Sequence, residues 1–593
     1  MRKIVLAFSM LFTMLVHSMA LFGIPVITSI SPNTGSPSGG NSVTITGTGF
    51  TGATAVTFGS NPATFTVVTD TTITSIAPIS AAGNANITVT TPSGSSSPSN
   101  ESLYVYQGNW FLYDADGGDG VYPISLPTNT PEPVISLSAS PTAIAITPDG
   151  QTVLFLSNNA SGLIFIDAAT NTVIGSTLFT SSTSAGVAVT PDGKSAYVAA
   201  NNRLIKIDIA TRTIESTLST PLVRSLAITP DGTRAYATGQ GVVYVVDLAS
   251  NTVIDTLSPP VLSGIEITPD GTQAYALGQT GVNIIDLATN TVVSHINITM
   301  AFAVAITPDG QLAFVSSSST GLVSVIDIAS QSIIATIPLP NGTLTGRGIT
   351  VTPDGKTVYV ADLSAIVPID VETLTAGAPL SIGSLPIFLA VTPDQAPVAS
   401  FTFTSPSTFD ASSSRTAVGS IASYSWDFGD GQTLVTSSPI VTHDYLASGT
   451  YIVTLTVTNT AGTSTTQIFT GQTVSRNGGP SAVFSQTVVV EIIGPVIPLP
   501  PSNFAGKSIK NQFATQTEYI NRLKWTPSPD PSVATYQLYR NGRLIAVIPA
   551  NGPFVYSDHN RRKHSTDVYT LIAVSADGTQ SPPVMVTVHV GSH

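Results

Sequence analysis

The sequence predicts an all-β, multidomain protein built around a seven-bladed β-propeller and flanked by smaller β-domains. Three observations predict it. A Thr-Pro-Asp tripeptide recurs with Pro at 148, 191, 230, 269, 308, 353 and 393, at spacings of 39 to 45 residues. Each repeat holds four short apolar runs, such as Leu226-Ala227-Ile228 before the turn and Ala235-Tyr236-Ala237 after it. Four short strands per ~40 residues is the unit of a propeller blade. The ends of the array also interlock. The seventh tripeptide, Thr392 to Asp394, has a first strand but no blade after it. Residues Trp110 to Leu137 hold three strands with no first strand before them. Joining the two completes a seventh blade and removes an exposed sheet edge.

The turns explain the recurrent acids. In Thr-Pro-Asp-Gly, Pro, Asp and Gly occupy the second, third and fourth positions that a tight turn favours. The seven Asp residues are therefore expected to form turns rather than a metal or acid array. These repeats resemble the YVTN family of β-propellers over about 108–394, with Tyr197-Val198-Ala199-Ala200-Asn201 and Tyr359-Val360-Ala361-Asp362 at the signature position.

Three further segments resemble immunoglobulin-like β-sandwich modules. Ile30-Ser31-Pro32, Gly39-Gly40, Val43 to Phe50 and Val56-Thr57-Phe58-Gly59 make residues 25–106 similar to an IPT/TIG domain. Trp426-Asp427-Phe428-Gly429-Asp430-Gly431, with His443-Asp444-Tyr445, makes 396–476 similar to a PKD domain. Trp525, Tyr536 to Tyr539 and Tyr569 to Val574 make 500–590 resemble a fibronectin type III domain, with Tyr569 placed to form its tyrosine corner. Residues 477–499, rich in Gly and Pro, read as a linker with one strand-like run, Thr487 to Ile493.

Length and composition bound the function. The 593 residues exceed what one core supports. Charged residues are 9%, against roughly 25% in ordinary soluble proteins, so Ser, Thr, Asn and Gln must carry the solvated surface. The net charge of −13 and the lack of a Lys/Arg cluster beyond Arg561-Arg562-Lys563 argue against nucleic acid as a partner. There is no cysteine, which excludes disulfides, thiol catalysis, zinc–thiolate sites and a lipid anchor on Cys. Arg2-Lys3, the apolar run Ile4 to Val16 and Ser18-Met19-Ala20 have the form of a signal peptide over 1–20. That run is short of the ~20 residues a span needs, and no later stretch could cross a bilayer as a helix. The expected location is secreted or cell-surface, extracytoplasmic.

Several motifs reduce to architecture. Gly47-Thr48-Gly49-Phe50-Thr51-Gly52 matches the dinucleotide fingerprint, but β-runs flank it where a helix is required. Gly193-Lys194-Ser195 and Gly355-Lys356-Thr357 end like a P-loop, but Ala188 and Thr350 stand where its first Gly belongs. Asp114, Asp116 and Asp119, in a Gly-rich segment read as a loop, suit Ca²⁺, the one cofactor the sequence admits. Their spacing misses the EF-hand pattern, and a solvated loop is the plainer alternative. Asp427 and Asp430 read as turn-formers. His295, the one propeller histidine, falls in an outer strand, and no Ser-His-Asp set or histidine metal spacing is found.

Strand order puts the uniform Thr-Pro-Asp-Gly turns on one face and the variable loops on the other. Variable loops suggest recognition. Arg203, Arg224, Phe302 and Arg347 belong to or border that face and are the candidate binding residues, since Arg and aromatics favour contact sites. The expected function is non-catalytic: an adhesion or display scaffold that binds extracellular protein or glycan. A propeller enzyme, such as a lactonase-like hydrolase or quinoprotein, is the alternative, and a structural envelope or surface-layer component the third.

Overall fold

The computed structural model describes residues 23–591, apart from 38, 117–119, 127, 138–140, 158–161, 180–183, 201, 262, 341–347, 364, 383–385 and 492–496. The proposed signal segment, Asp119 and Arg347 therefore lie outside the described residues. Strands make up 58% of the protein and no α-helix occurs among the described residues, which makes the class all-β. The chain divides into two compact units, Met1–Asp444 with Thr450–Val489, and Tyr445–Gly449 with Val490–His593.

The first unit contains seven sheets built on the Thr-Pro-Asp repeat. Sheets 1 to 6 are consecutive antiparallel meanders over 141–177, 184–219, 223–257, 265–297, 301–338 and 349–381. Sheet 7 is composite: Pro386–Val391 pairs with Trp110–Asp116, which pairs with Gly120–Leu126, with register Leu112↔Val391 and Tyr113↔Ala390. Each sheet is open. First strands of successive sheets lie side by side, and that of sheet 1 lies beside Pro386–Val391 of sheet 7.

The turns hold themselves. Thr229 Oγ1 donates to Asp231 Oδ1 at 2.5 Å, and the same oxygen accepts the Thr233 N–H at 3.0 Å. Gly232, at φ +69, supplies the left-handed step that returns the chain to the second strand. The same Thr–Asp bond recurs at Thr147, Thr190, Thr268, Thr307 and Thr352. The turns between third and fourth strands use another acid. Asp247 Oδ1 accepts the Ser250 N–H at 2.7 Å, and Asn251 takes φ 52. These acids are turn-formers.

A tyrosine of one sheet reaches the left-handed residue of the next. Tyr113, Tyr236 and Tyr359 donate to Asn171 (3.2 Å), Asn290 (2.6 Å) and Asn129 (2.7 Å). The last links sheet 6 to sheet 7, and the first links sheet 7 to sheet 1. Where Phe314 removes the hydroxyl, Leu374 stands in place of Asn, and both join one apolar cluster. Tyr275 faces a repeat with Gln331 at that position, and its buried hydroxyl has no hydrogen-bond partner.

Residues 25–106 form two packed sheets around Phe50, Phe58, Tyr104 and Tyr106. The Gly47–Gly52 segment is a turn there: Gly49 has φ +73 and Asp70 Oδ1 accepts the Thr51 N–H at 3.1 Å, with no helix following. The sandwich after sheet 7 packs Phe401, Phe409, Trp426 and Phe428 in its core. Asp427 and Asp430 accept N–H groups of Gly429 and Gln432, both at 3.0 Å, and Asp430 also pairs with His443 at 2.8 Å.

The segment read as a linker from 477 is ordered structure at its start. Val483–Val490 is the edge strand of the sheet holding Ile421–Asp427 and Gly449–Asn459. Val488 is buried and Val489 is exposed, the period-two alternation of a half-buried strand. Residues 464–479 are an excursion between the paired strands Gly449–Asn459 and Val483–Val490.

The second unit is a sandwich of a three-stranded sheet (Ser502–Gln512, Thr517–Thr526, Val555–Asp558) and a four-stranded sheet (Arg543–Pro549, Val533–Arg540, Thr566–Ser575, Val584–His589). Trp525, Tyr536 and Tyr569 are in its core. The Tyr569 hydroxyl donates to the Asp558 carboxylate at 2.5 Å, and Arg540 binds that carboxylate at 2.9 Å.

Candidate functional site

The first strand of every sheet is a terminal strand, paired on one side only. Its other edge presents backbone N–H and C=O groups, which must find partners or water. At the turn end, the 464–479 excursion supplies them. Ile228 N–H donates to Gly471 O at 2.6 Å, Val189 N–H to Gln472 O at 3.2 Å and Ile267 N–H to Thr470 O at 3.3 Å. Phe469 and Val474 bury beside Ala188, Leu226 and Ile228. Gln467 Nε2 donates to Pro191 O at 2.9 Å and Arg476 Nε to Pro353 O at 2.6 Å, so the excursion is fastened to the uniform turns themselves.

The seventh turn serves as the anchor. It lacks the Gly of the others, and Gln395 carries the chain away. Asp394 is fully buried; Trp110 Nε1 donates to its Oδ1 at 3.0 Å and Asn459 Nδ2 to its Oδ2 at 2.6 Å. Burial raises its carboxyl against those bonds. Asn84 Nδ2 donates to Ala396 O at 2.6 Å, and Arg415 donates to Leu103 O at 2.8 Å, tying the segment 25–106 to the same end. Burial lowers the Arg415 guanidinium to about 10.

Above this floor lies a cavity of about 370 Å³ lined by the first strands of all seven sheets. Arg224, Ser225, Ser263, Phe302 and Phe388 stand on its wall and Gln472 on its floor. The strands approach closely around it. A Cβ on Gly348 would lie 2.7 Å from Leu389 N, and one on Gly186 2.9 Å from Ser225 Cα, so these positions admit only glycine without movement. A smaller space of about 60 Å³ beside the excursion is lined by Glu266, Thr350, Thr470 and Ser475.

Glu266 is the one carboxylate lining either space. Burial pushes it up to about 8, against hydrogen bonds from the Thr470 side chain and the Ile306 N–H. Its neutral form is thereby favoured over the charged one. Sequence reasoning missed it and Gln472. The signal for Glu266 was present: two residues before each repeated Thr stand Ala145, Ala188, Ala227, Ala305, Thr350 and Ala390, and in sheet 4 Glu266.

Of the candidate binding residues, Arg224 and Phe302 come together on the cavity wall. Arg203 begins the third strand of sheet 2 and does not line the cavity. Arg347 lies outside the described residues. The candidate Ca²⁺ set is not one loop at its start. Asp114 is fully buried inside the strand Trp110–Asp116, opposite Tyr122 and Leu389, and Asp116 ends that strand. The expectation of a loop there fails because the strand is paired on both sides. Among the described residues no three His, Asp or Glu side chains stand close enough to hold a metal. His295 is on the fourth strand of sheet 4, 3.0 Å from Asn283.

Family comparison decides two of the flanking segments. The IPT/TIG domain model matches residues 25–106 and the PKD domain model matches 392–474. These segments are an IPT/TIG domain and a PKD domain. The PKD match begins at the seventh Thr-Pro-Asp and extends into the docked excursion. No curated protein matches the sequence. Among solved structures, hydrazine synthase of Kuenenia stuttgartiensis aligns at 24% identity and TM-score 0.36, covering 39% of this chain and 77% of that one. A functionally unknown protein from Desulfotomaculum acetoxidans aligns at 15% identity and TM-score 0.42, covering 47% and 98%. Both scores fall below 0.5, so neither likeness bears on function. Among the described residues no helix is long and apolar enough to cross a membrane.

Proposed function

We propose that the seven sheets are the blades of a β-propeller closed by Pro386–Val391, and that the protein is a non-catalytic, extracytoplasmic binding protein whose recognition site is the axial cavity on the side away from the uniform turns. The circuit of neighbouring first strands and the tyrosine–asparagine links from sheet 6 to 7 and 7 to 1 support the ring. The strand order of the C-terminal unit supports a fibronectin type III-like sandwich. IPT/TIG and PKD domains are common in extracellular adhesion or binding proteins, which favours export after a signal at 1–20 and a protein or glycan partner.

The observation that carries the reading is the difference between the cavity's two ends. The PKD excursion fills the turn end. Arg224 and Phe302 line the cavity beyond it. Among the described residues the wall carries a guanidinium, hydroxyls and aromatics, groups that suit recognition.

The test is binding of the mature chain to protein and glycan arrays, beside a Ser225→Trp variant that fills the cavity. The expected result is specific hits that the variant loses while keeping the parent's melting temperature. Hits kept by the folded variant would move the site elsewhere.

A further inference from the structure

Resting on that reading of the cavity, we propose that its ligand is a carboxylated sugar, a uronic acid unit at the end of an extracellular polysaccharide. Three features of the wall define the chemistry.

The first is charge. Among the described residues Arg224 is the one charged side chain lining the cavity, and it takes part in none of the ion pairs found there. It stands on a chain of net charge −13, so the cation is a local feature rather than part of a basic surface. A guanidinium presents a planar fork that matches a carboxylate. A neutral sugar offers that fork hydroxyl oxygens but no charge-assisted bidentate contact.

The second is the balance of donors and acceptors. Ser263 Oγ donates its proton to Ala301 O at 3.0 Å, and Thr142 Oγ1 donates to Leu156 O at 3.3 Å. Gln472 Nε2 donates to Ile265 O at 3.1 Å. Each side chain spends a donor on the protein and keeps oxygen lone pairs for a ligand. These acceptors need O–H donors. A polyol supplies several, whereas sulfate and an ionised aromatic acid supply none. The unpaired edges of the first strands add both kinds of backbone group, which suits neighbouring hydroxyls that donate and accept.

The third is shape. Phe302 and Phe388 are half-buried and line the cavity, an apolar component of the wall that matches the C–H side of a pyranose ring. A volume of about 370 Å³ lies at the small end of ligand sites, the scale of one or two sugar units.

The test uses the full mature chain in titration calorimetry at low salt, with D-glucuronate and D-galacturonate as probes. Glucose, galactose, sulfate and benzoate are the comparisons. Uronates are expected to bind at least about tenfold more tightly than their neutral parents, the order of one charge-assisted contact. Sulfate and benzoate are expected not to compete. Arg224→Gln should reduce uronate binding to the neutral-sugar level with the melting temperature unchanged, while Arg543→Gln in the C-terminal unit leaves binding intact. Equal affinity for uronate and neutral sugar, competition by sulfate or benzoate, no uronate binding at millimolar concentration, or an Arg224→Gln variant that binds like the parent would each overturn the ligand class. The Ser225→Trp array comparison separates this from the wider reading. Array hits lost in that variant keep the cavity as the site even where the uronate assignment falls; hits retained remove both.

Discussion

The two ends of the seven-sheet region are made from the same repeats and used in opposite ways. At the turn end the sequence barely varies, and every described Thr-Pro-Asp turn from Thr147 to Thr352 has the same Thr–Asp hydrogen bond. Regular turns offer a regular array of carbonyls, and the neighbouring domains bind them: Pro148 O takes Gln395, Pro191 O takes Gln467 and Pro353 O takes Arg476. At the other end the loops differ in length and composition, and the first-strand edges face a cavity. The difference teaches that repetition here builds a docking platform, while the variable end holds the cavity proposed as the site.

The comparison can be broken most severely at its shared element. Deleting 387–395 removes the first strand of sheet 7 and the Asp394 anchor together. Each lost backbone bond contributes about 1 kcal/mol, and buried unpaired groups cost about 1–3 kcal/mol each. That is comparable with a whole domain's ~5–15 kcal/mol. Calorimetry should show no cooperative transition for the seven-sheet region, whereas deleting 494–501 should leave it in place. A parent-like transition in the first deletion would refute the closure.

At the sealed end alone, Phe469→Ala should cost about 3–5 kcal/mol in denaturant unfolding, since the ring is buried in the cluster of sheets 2 and 3. A loss below about 1 kcal/mol would mean the excursion is not held there.

Glu266 gives a pH signature of the same end. Its folded pKa is raised, so the native state holds a proton that the unfolded state releases from about 4.5 upward. The stability it supplies is complete below that pH and is lost progressively up to about 8, amounting to a few kcal/mol at most. Asp394, also raised by burial, acts in the same direction. Aspartates lowered by turn hydrogen bonds, such as Asp286, act oppositely and below the normal carboxylate range. Between pH 5 and 8 the parent's melting temperature should therefore fall relative to Glu266→Gln. A constant difference across that range would contradict the neutral carboxyl.

The smallest effect belongs to the open end. Arg224→Gln should change unfolding free energy by no more than about 0.5 kcal/mol, because the side chain is exposed and makes no ion pair. A larger loss would make Arg224 part of the architecture.

Much of the turn end was legible in the sequence, because Pro, Asp and Gly have fixed roles in a turn and recur in register. The complementary strands at 110–137 and 387–391 were legible for the same reason. The docked excursion at 464–479 was not, although the strand-like run from Thr487 overlaps the strand Val483–Val490. An apolar run such as Ile468-Phe469 reads the same whether it completes a sandwich or docks on another sheet, and only its partners distinguish the two. Asp114 was misplaced because the glycines after it suggested a loop, while pairing with both Gly120–Leu126 and Pro386–Val391 extends the strand through it. Glu266 was hidden by uniformity: within one strand it is an ordinary residue, and it stands out only in the column of alanines across repeats. Arg224 and Phe302 were found from loop variability and residue type, but the cavity that unites them depends on seven strands converging.

The account's central claim is that recognition takes place in the cavity, at the end away from the uniform turns. The most direct measurement compares partner binding by two folded variants, Ser225→Trp on the cavity wall and Lys356→Trp on an exposed uniform turn, each matched to the parent in melting temperature. The account predicts that Ser225→Trp loses binding and Lys356→Trp keeps it. Loss in Lys356→Trp with binding intact in Ser225→Trp would place the partner on the turn end and contradict the account.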